Sequence, residues 1–308
     1  MKISIVVPSY NEENNVIILG KRLKEVLVAL GDFEVIFVDD GSSDGTLSQL
    51  INLHQEDKRF RYYSFSRNFG HQQALRCGME YATGDCVISM DADLQHPPEL
   101  IPELVSKWKE GYDIVFTQRT EEDNLSFFKK FTSGIFYRLM NRLSDVDLEE
   151  GTADFRLVDK KAVDVIRNAS ESNLFMRGFI SWIGFKQYKI TYKAALRHSG
   201  TTKYSIRKMM GFALNGITSF SIKPLRFSIF AGLLISALAF FYAIYAIILY
   251  LFFPEKAVAG WASVLVSVLF MGGIQLLFLG VIGEYLGKLF MQSKNRPHYI
   301  IQASSADE

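Results

Sequence analysis

The chain has 308 residues, of which 49% are hydrophobic and 22% are charged, and its formal net charge is +1. This length is enough for one large domain or two small ones with a sizeable core. The near-neutral charge argues against a nucleic-acid partner that is held mainly by bulk charge. Cys77 and Cys86 are the only cysteines, and they do not form a metal-spaced pair.

Hydrophobic patterning predicts alternating strands and helices over the first 120 residues. In chain order, the predicted strands cover residues 3–7, 35–38, 62–65, 86–90 and 113–117, and the predicted helices cover residues 16–30, a short stretch from 46, 72–82 and 98–110. Repeated strand–helix units predict an α/β domain with a mostly parallel sheet and helices on both faces. Ligands of such sheets bind beyond the carboxyl ends of the strands.

Acidic segments follow three of these strands, at residues 8–12, 39–44 and 91–93. Residues i and i+2 of a strand face the same way, so Asp91 and Asp93 can converge on one hard cation. Mg²⁺ or Mn²⁺ takes oxygen ligands and can hold a substrate diphosphate at the same time. The pattern predicts a metal-dependent enzyme with a phosphate-bearing donor. The sequence has neither a Gly-x-Gly-x-x-Gly after the first strand nor a P-loop lysine pattern, which counts against a dinucleotide dehydrogenase and a P-loop kinase.

The composition changes near residue 225. Residues 227–253 and 257–283 carry no charge, and each run exceeds the ~20 residues that a membrane span needs. Basic residues precede the first run and follow the second, so the positive-inside rule places both termini in the cytoplasm. We therefore predict an integral protein of the cytoplasmic (inner) membrane with two spans. Residues 204–222 mix apolar and basic side chains, which predicts an interfacial amphipathic helix or, alternatively, a packing helix of the soluble domain.

These patterns divide the chain into six segments. We expect a cytoplasmic catalytic domain at residues 1–203, an interfacial region at 204–224, transmembrane helices at 225–253 and 261–287 joined by a short extracytoplasmic loop at 254–260, and a cytoplasmic tail at 288–308. The small residues of Gly232-x-x-x-Ser236 and Gly283-x-x-x-Gly287 permit close helix contacts within or between protomers, which leaves a homo-oligomer open.

The motifs together resemble those of one enzyme family. They are Val-Val-Pro-Ser-Tyr-Asn-Glu at 6–12, Val-Asp-Asp-Gly-Ser-Ser-Asp-Gly-Thr at 38–46, Ser-Arg-Asn-Phe-Gly at 66–70, Asp-Ala-Asp-Leu-Gln at 91–95, Ala-Asp-Phe-Arg at 153–156 and Ser-Gly-Thr-Thr-Lys-Tyr at 199–204. The set resembles family 2 glycosyltransferases, and with two C-terminal spans it is similar to the polyprenyl-phosphate glycosyltransferases. These include bactoprenol glucosyltransferases and dolichol-phosphate mannose synthases. The resemblance implies a GT-A fold, which is Rossmann-like, followed by a two-helix transmembrane hairpin.

The resemblance also implies roles for individual residues. It assigns the nucleotide to Pro8, Tyr10, Glu12, Asp39 and Asp91, and the metal, Mg²⁺ or Mn²⁺, to Asp91, Asp93 and Gln95. It assigns phosphate or acceptor binding to Arg119, Lys129, Ser133, Arg156, Arg197 and Lys203. Some relatives have Arg where this chain has Lys129, and Lys lacks the bidentate geometry of Arg. We expect His71 and His96 to be incidental.

Asp154 is the catalytic residue that the resemblance implies, as a general base. A phosphate monoester has a second pKa near ~6, so at neutral pH it needs positioning more than proton removal. We therefore expect Asp154 to orient the acceptor or to assist at the metal.

The expected activity is inverting transfer of a hexose from a nucleotide-sugar donor to polyprenyl phosphate at the membrane. Glucose from UDP-glucose and undecaprenyl phosphate are the favoured substrates. Mannose from GDP-mannose and an aminoarabinose-type sugar from its UDP donor are alternatives within the class. A catalytically silent membrane scaffold for a lipid flippase is the alternative outside it.

Overall fold

The computed structural model describes residues 1–119, 152–171, 175–192, 221–252 and 260–306. Its strands are β1 (Lys2–Ser9), β2 (Asp32–Asp39), β3 (Phe60–Phe65), β4 (Cys86–Ser89), β5 (Ile114–Arg119), β6 (Thr152–Asp159), β7 (Gln187–Tyr192) and β8 (Ile301–Ser304). Its helices are α1 (Val16–Val28), α2 (Thr46–Glu56), α3 (His71–Tyr81), α4 (Ile101–Lys109), α5 (Lys160–Arg167), α6 (Met176–Trp182), α7 (Lys223–Phe252) and α8 (Trp261–Ser293), with a 3₁₀ turn at Pro98–Leu100.

The strands of the described segments form one sheet in the order β7-β5-β6-β4-β1-β2-β3-β8. The block β3-β2-β1-β4 is parallel, as the repeated strand–helix units predict. β6 runs antiparallel between β4 and β5, and β8 runs antiparallel along β3. The sheet is therefore mixed, with a parallel centre. Each strand and helix predicted in the first 120 residues is present, and the observed ends differ by a few residues.

Both faces of the sheet are covered, which explains the nearly continuous apolar runs of β1 and β2. Ile5 and Val7 of β1 pack in the core that includes α1, whereas Val6 packs on the opposite face with α3 and α5. Gly78 of α3 permits an especially close contact, because a Cβ added there would lie 2.1 Å from a methyl carbon of Val6. This close packing fixes the position of α3, whose first residue, His71, lies at the carboxyl edge of the sheet.

Helices α7 and α8 contain segments that are long and apolar enough to cross a membrane. Residues Lys223–Tyr245 have a mean hydropathy of 2.2, and residues Val266–Ser293 have a mean hydropathy of 2.1. Their large side chains are exposed, as Phe230 at 70% and Leu276 at 71% illustrate. A helix of a soluble core would bury such residues, so the two helices indicate association with a membrane.

The chain returns to the α/β domain after α8. Tyr299 stacks on Phe65 with 4.9 Å between ring centroids and donates a hydrogen bond to Glu80 of α3. β8 then extends the sheet along β3. Sequence analysis expected only a tail here, because a four-residue edge strand has too few residues to show a period. The link of residues 294–300 spans at most roughly 26 Å, so the C-terminal end of α8 lies within that distance of the domain.

Glu34 of β2 is a buried carboxylate at the amino edge of the sheet. It accepts hydrogen bonds from Ser4 Oγ at 2.6 Å, Thr83 N at 2.7 Å and Arg61 Nη1 at 3.1 Å, and Lys2 Nζ lies 3.3 Å away. Burial alone would raise the pKa of Glu34, but these hydrogen bonds outweigh it and lower the pKa from 4.5 to about 2. Glu34 therefore links β1, β2, β3 and the α3–β4 connection in its charged form.

We predict that Glu34→Gln removes an acid-sensitive part of the stability. Because the folded-state pKa lies below the unfolded value, the carboxylate stabilises the fold fully above pH 4.5, and this contribution disappears as the pH falls toward 2. The shift corresponds to roughly 3 kcal/mol. Thermal unfolding in detergent at pH 7 and pH 4 should show a loss in Glu34→Gln that is larger at pH 7. Glu56→Gln, an exposed change on α2, is the control, and equal behaviour of both variants would contradict the prediction.

Candidate active site

A cleft of about 390 Å³ opens at the carboxyl edge of the parallel strands. The described residues that line it are Pro8, Ser9, Tyr10, Glu12, Asp40, Asn68, Gly70, His71, Ala74, Asp91, Ala92, Asp93, Asp154 and Arg177. They come from the ends of β1, β2 and β4, the start of β6, and the first turns of α3 and α6. Sequence analysis predicted this edge, because ligands of open α/β sheets bind there.

The register between β4 and β6 brings Asp154 to the cleft. Ser89 of β4 is paired with Arg156 of the antiparallel β6, and Ser89 Oγ donates to the backbone oxygen of Asp154 at 2.6 Å. Asp91 lies two residues beyond Ser89, and Asp154 lies two residues before Arg156. Antiparallel pairing therefore brings two carboxylates that are 63 residues apart in sequence to one edge of the sheet.

Asp91 is held by two histidines. His71 Nε2 donates to Asp91 Oδ1 at 2.8 Å, and the Asp91 backbone N–H donates to His96 Nδ1 at 3.0 Å. Because Nδ1 of His96 accepts, its remaining proton is on Nε2, which lies 3.7 Å from Asp91 Oδ2. Burial would lower the pKa of His71, but the hydrogen bond to Asp91 raises it, whereas burial lowers the pKa of His96. Both histidines therefore help to hold Asp91, which corrects the expectation that they are incidental.

Asp93, Gln95 and Arg119 form a second chain of contacts. Leu94 adopts a left-handed backbone conformation with φ 63°, and this turn lets the Gln95 N–H donate to Asp93 Oδ1 at 3.0 Å. The Gln95 side-chain oxygen accepts from Arg119 Nη2 at 2.8 Å. Asp93 lines the cleft, whereas Gln95 and Arg119 are not among the residues that line it.

The donor set of the cleft fits a diphosphate-bound cation rather than a metal enclosed by protein. In the described part of the chain, no three His, Cys, Asp or Glu side chains are grouped closely enough to hold a metal ion by themselves. Mg²⁺ is usually bound through one or two carboxylates together with substrate phosphates and water. Asp91 and Asp93, which both line the cleft, supply that number of carboxylates.

Asp154 is enclosed by two arginines. Arg177 binds it with two hydrogen bonds, from Nε to Oδ1 at 2.8 Å and from Nη2 to Oδ2 at 2.7 Å. Arg156 Nη2 donates to Oδ1 at 2.9 Å. Burial would raise the pKa of Asp154, but the two guanidinium groups outweigh it and hold the pKa far below its usual range. Both carboxylate oxygens are engaged, so the geometry is that of a permanently charged residue rather than a proton acceptor.

Of the residues predicted to bind the nucleotide, some line the cleft and one is buried outside its lining. Pro8, Tyr10 and Glu12 line the cleft, and Tyr10 is 47% exposed at its mouth. Asp39 is 1% exposed, accepts from Ser42 N at 3.1 Å and Ser64 Oγ at 2.7 Å, and does not line the described cleft.

The neighbouring Asp40 lines the cleft, although sequence analysis gave it no role. It accepts from the backbone N–H groups of Phe69 at 2.7 Å and Gly70 at 2.9 Å, which join β2 to the start of α3. Burial raises its pKa.

Sequence analysis did not identify Asp40, His71, His96 or Arg177 as site residues. Arg177 has no motif of its own, and its position depends on the packing of α6 against α3. The predicted residues Lys129, Ser133, Arg197 and Lys203 lie outside the described residues.

The fold and the acidic cleft are those expected of a glycosyltransferase, and comparisons with known proteins show this class. Residues 4–167 match the family model of glycosyl transferase family 2. The chain is 46% identical to the uncharacterized glycosyltransferase YkcC of Bacillus subtilis, over 98% of this chain and 93% of the relative. It is 41% identical to the bactoprenol glucosyl transferase of Shigella phage SfII, over 99% and 98% of the two chains. The protein therefore belongs to glycosyl transferase family 2.

A solved structure supports the fold assignment. The mannosyltransferase PcManGT from Pyrobaculum calidifontis, in complex with GDP-Man and Mn²⁺, superposes with a TM-score of 0.51 at 16% identity. The match covers 73% of this chain and 64% of that chain, a little under two thirds of its length. The α/β domain is a GT-A fold, and the two apolar helices follow it as the sequence predicted.

We predict that His96→Leu weakens binding of a divalent cation at the acidic pair. The change leaves the Asp91 N–H without its acceptor and removes the neighbour of Asp91 Oδ2, so the carboxylate loses its fixed orientation. Loss of such an outer partner typically costs about 10–100-fold in metal affinity. Titration of Mn²⁺ by electron paramagnetic resonance, in the presence of UDP, measures the effect.

His54→Leu is the matched control. His54 is also buried and contacts the Phe60 oxygen at 2.7 Å, on the side of the domain where α2 and β3 pack. It should lower the unfolding temperature without changing the affinity for Mn²⁺. Equal affinities in the two variants would show that His96 is structural only.

Proposed function

We propose that this glycosyltransferase transfers glucose from UDP-glucose to undecaprenyl phosphate, giving undecaprenyl-phosphate-glucose. The observation that carries the proposal is an acidic GT-A cleft in a chain with two apolar helices. The similarity to the bactoprenol glucosyl transferase of phage SfII supports the substrates, because it extends over 99% of this chain, including both helices.

The donor is expected to bind with its diphosphate at Asp91 and Asp93. Mg²⁺ or Mn²⁺ bound there would neutralise the charge that develops on the leaving nucleoside diphosphate. The complex of PcManGT with GDP-Man and Mn²⁺ supports this pairing of nucleotide sugar and metal in the same fold. Pro8, Tyr10 and Glu12 line the cleft and are proposed to contact the nucleoside. His71 and His96 hold Asp91 in place.

The reaction is a single displacement with inversion. An oxygen of the acceptor phosphate forms a bond to the anomeric carbon as the bond to the diphosphate breaks, and the electron pair leaves with the diphosphate. The acceptor is already mostly deprotonated at neutral pH. Asp154 is therefore proposed as a positioning residue, which agrees with the engagement of both its oxygens by arginine.

The membrane helices serve the lipid acceptor. Extracting a polyprenyl chain costs ~0.8 kcal/mol for each CH₂ group exposed to water, so the enzyme must act at the headgroup layer. The sheet contains β8, which follows α8 by a short link. This supports a topology in which the GT-A domain, the start of α7 and the end of α8 share the cytoplasmic side of the inner membrane.

We predict that UDP-glucose is the only productive donor in a panel that contains UDP-glucose, GDP-mannose and a UDP-aminoarabinose-type sugar. The purified full-length protein is incubated with Mn²⁺, undecaprenyl phosphate and each donor, and product mass is measured. Asp93→Ala should abolish turnover because it removes one of the two diphosphate-site carboxylates. A mannosylated or aminoarabinosylated lipid would replace the proposed donor, and no product with any donor would favour the silent scaffold.

We predict that Asp154→Asn lowers turnover about 100-fold at every pH between 6 and 9, which is typical of a misplaced reactant. The pKa of Asp154 lies far below this range, so the carboxylate does not titrate there. Pre-steady-state rates across the pH range provide the test. If Asp154 is instead the general base, the residual activity of the variant should rise with pH where that of the parent is flat, and a variant that keeps the parent's rate would contradict both roles.

A further inference from the structure

We propose that Arg177 binds the phosphate of the lipid acceptor and that Asp154 acts through Arg177 as its positioning residue. The inference rests on the proposed function and adds a residue that sequence analysis did not identify.

The described lining of the cleft is mostly acidic. Its described lining contains five carboxylates, Glu12, Asp40, Asp91, Asp93 and Asp154. Among those same described residues, Arg177 is the only lysine or arginine that lines it. A phosphate monoester carries about −1.5 to −2 charges at neutral pH, so this carboxylate-lined surface would repel it.

Arg177 is the more accessible of the two arginines that bind Asp154. The cluster contains two guanidinium groups and one carboxylate, because Arg156 also binds Asp154. Arg156 is only 3% exposed, whereas the Arg177 side chain is 35% exposed. Arg177 is therefore the guanidinium group of this cluster that a ligand in the cleft can reach, and it lines the cleft beside Asp154. Guanidinium groups bind phosphate with well-defined geometry, and the bidentate Asp154 contact fixes the plane of this one.

Contacts around α6 connect Arg177 to the acidic pair. The backbone N–H of Met176, the residue before Arg177, donates to the Gln72 side-chain oxygen at 3.1 Å. Gln72 follows His71, which contacts Asp91. The first turns of α3 and α6 are thus joined by a hydrogen bond. This contact helps to set the position of the Arg177 guanidinium group relative to Asp91.

The acceptor phosphate is the substrate group that needs Arg177. The donor diphosphate would be neutralised by the divalent cation at Asp91 and Asp93, whereas the acceptor phosphate brings no cation of its own. Arg177, held beside Asp154, would attract the acceptor phosphate and orient one of its oxygens toward the anomeric carbon of the donor sugar. It would not remove a proton.

The test compares Arg177→Gln and Arg177→Lys with the full-length parent. Arg177→Gln should raise the KM for undecaprenyl phosphate about tenfold or more, as expected for loss of a charged hydrogen bond. The KM for UDP-glucose and the Mn²⁺-dependent Kd for UDP should stay within about twofold. Arg177→Lys should recover part of the acceptor affinity, because it keeps the charge but not the planar fork.

A direct binding assay separates this inference from the proposed function. Farnesyl phosphate, titrated without donor, should bind Arg177→Gln about tenfold more weakly or worse than the parent. Adding Asp154→Asn to Arg177→Gln should cause little further loss if Asp154 acts through Arg177.

Arg22→Gln is the matched control, because Arg22 makes the same two-pronged contact with Glu99 at 34% exposure, away from the cleft. It should leave both substrate constants unchanged, and unfolding temperatures verify that each variant is folded.

Two results for Arg177→Gln would overturn the inference. The first is a weaker affinity for UDP with an unchanged KM for undecaprenyl phosphate, which would assign Arg177 to the donor. The second is unchanged binding of farnesyl phosphate. If the parent transfers no sugar, the proposed function fails, and farnesyl phosphate binding still decides the role of Arg177.

Discussion

The antiparallel pairing of β6 with β4 is the constraint on which the site depends. A purely parallel sheet would bring only the ends of β1, β2 and β4 to the cleft, and the charged residues that those ends contribute to its described lining are all acids. β6 enters the sheet in the opposite direction, so its first residues lie beside the last residues of β4. Asp154 and Arg156 thereby reach the same edge as Asp91, and Arg177 is held there through Asp154.

The site separates two kinds of charge. Asp91 and Asp93 form the acidic part, where the proposed function places a cation and the donor diphosphate. Asp154 lies in the cationic part, where it is outnumbered by two arginines. An enzyme that joins a nucleotide sugar to a lipid phosphate must hold two anions close together, and it can do so only if each has its own counter-charge. In the proposed reaction, the membrane helices would bring one of these anions to the cleft, and β8 connects the second helix back to the sheet.

Much of the fold could be predicted from the sequence, because its signals are local. The apolar runs of β1, β2 and β4 and the helical spacing of α1 are visible over a few residues, and the two spans are visible from composition. The antiparallel β6 and the four-residue β8 could not be predicted, because their direction depends on pairing with distant strands. In the site, the motifs identified Asp91, Asp93 and Asp154. They did not identify Arg177, whose place depends on tertiary packing, or the contacts of His71 and His96 with Asp91.

The stereochemistry of the lipid product tests the central claim most directly, namely that the acceptor phosphate displaces the nucleotide in one step in this cleft. The full-length protein is supplied with UDP-glucose, in which the sugar is α-linked, and undecaprenyl phosphate, and the product is analysed by nuclear magnetic resonance. The account predicts a β-linked glucosyl phosphate on the lipid. An α-linked product would require a covalent glycosyl-enzyme or another route, and it would contradict the single displacement.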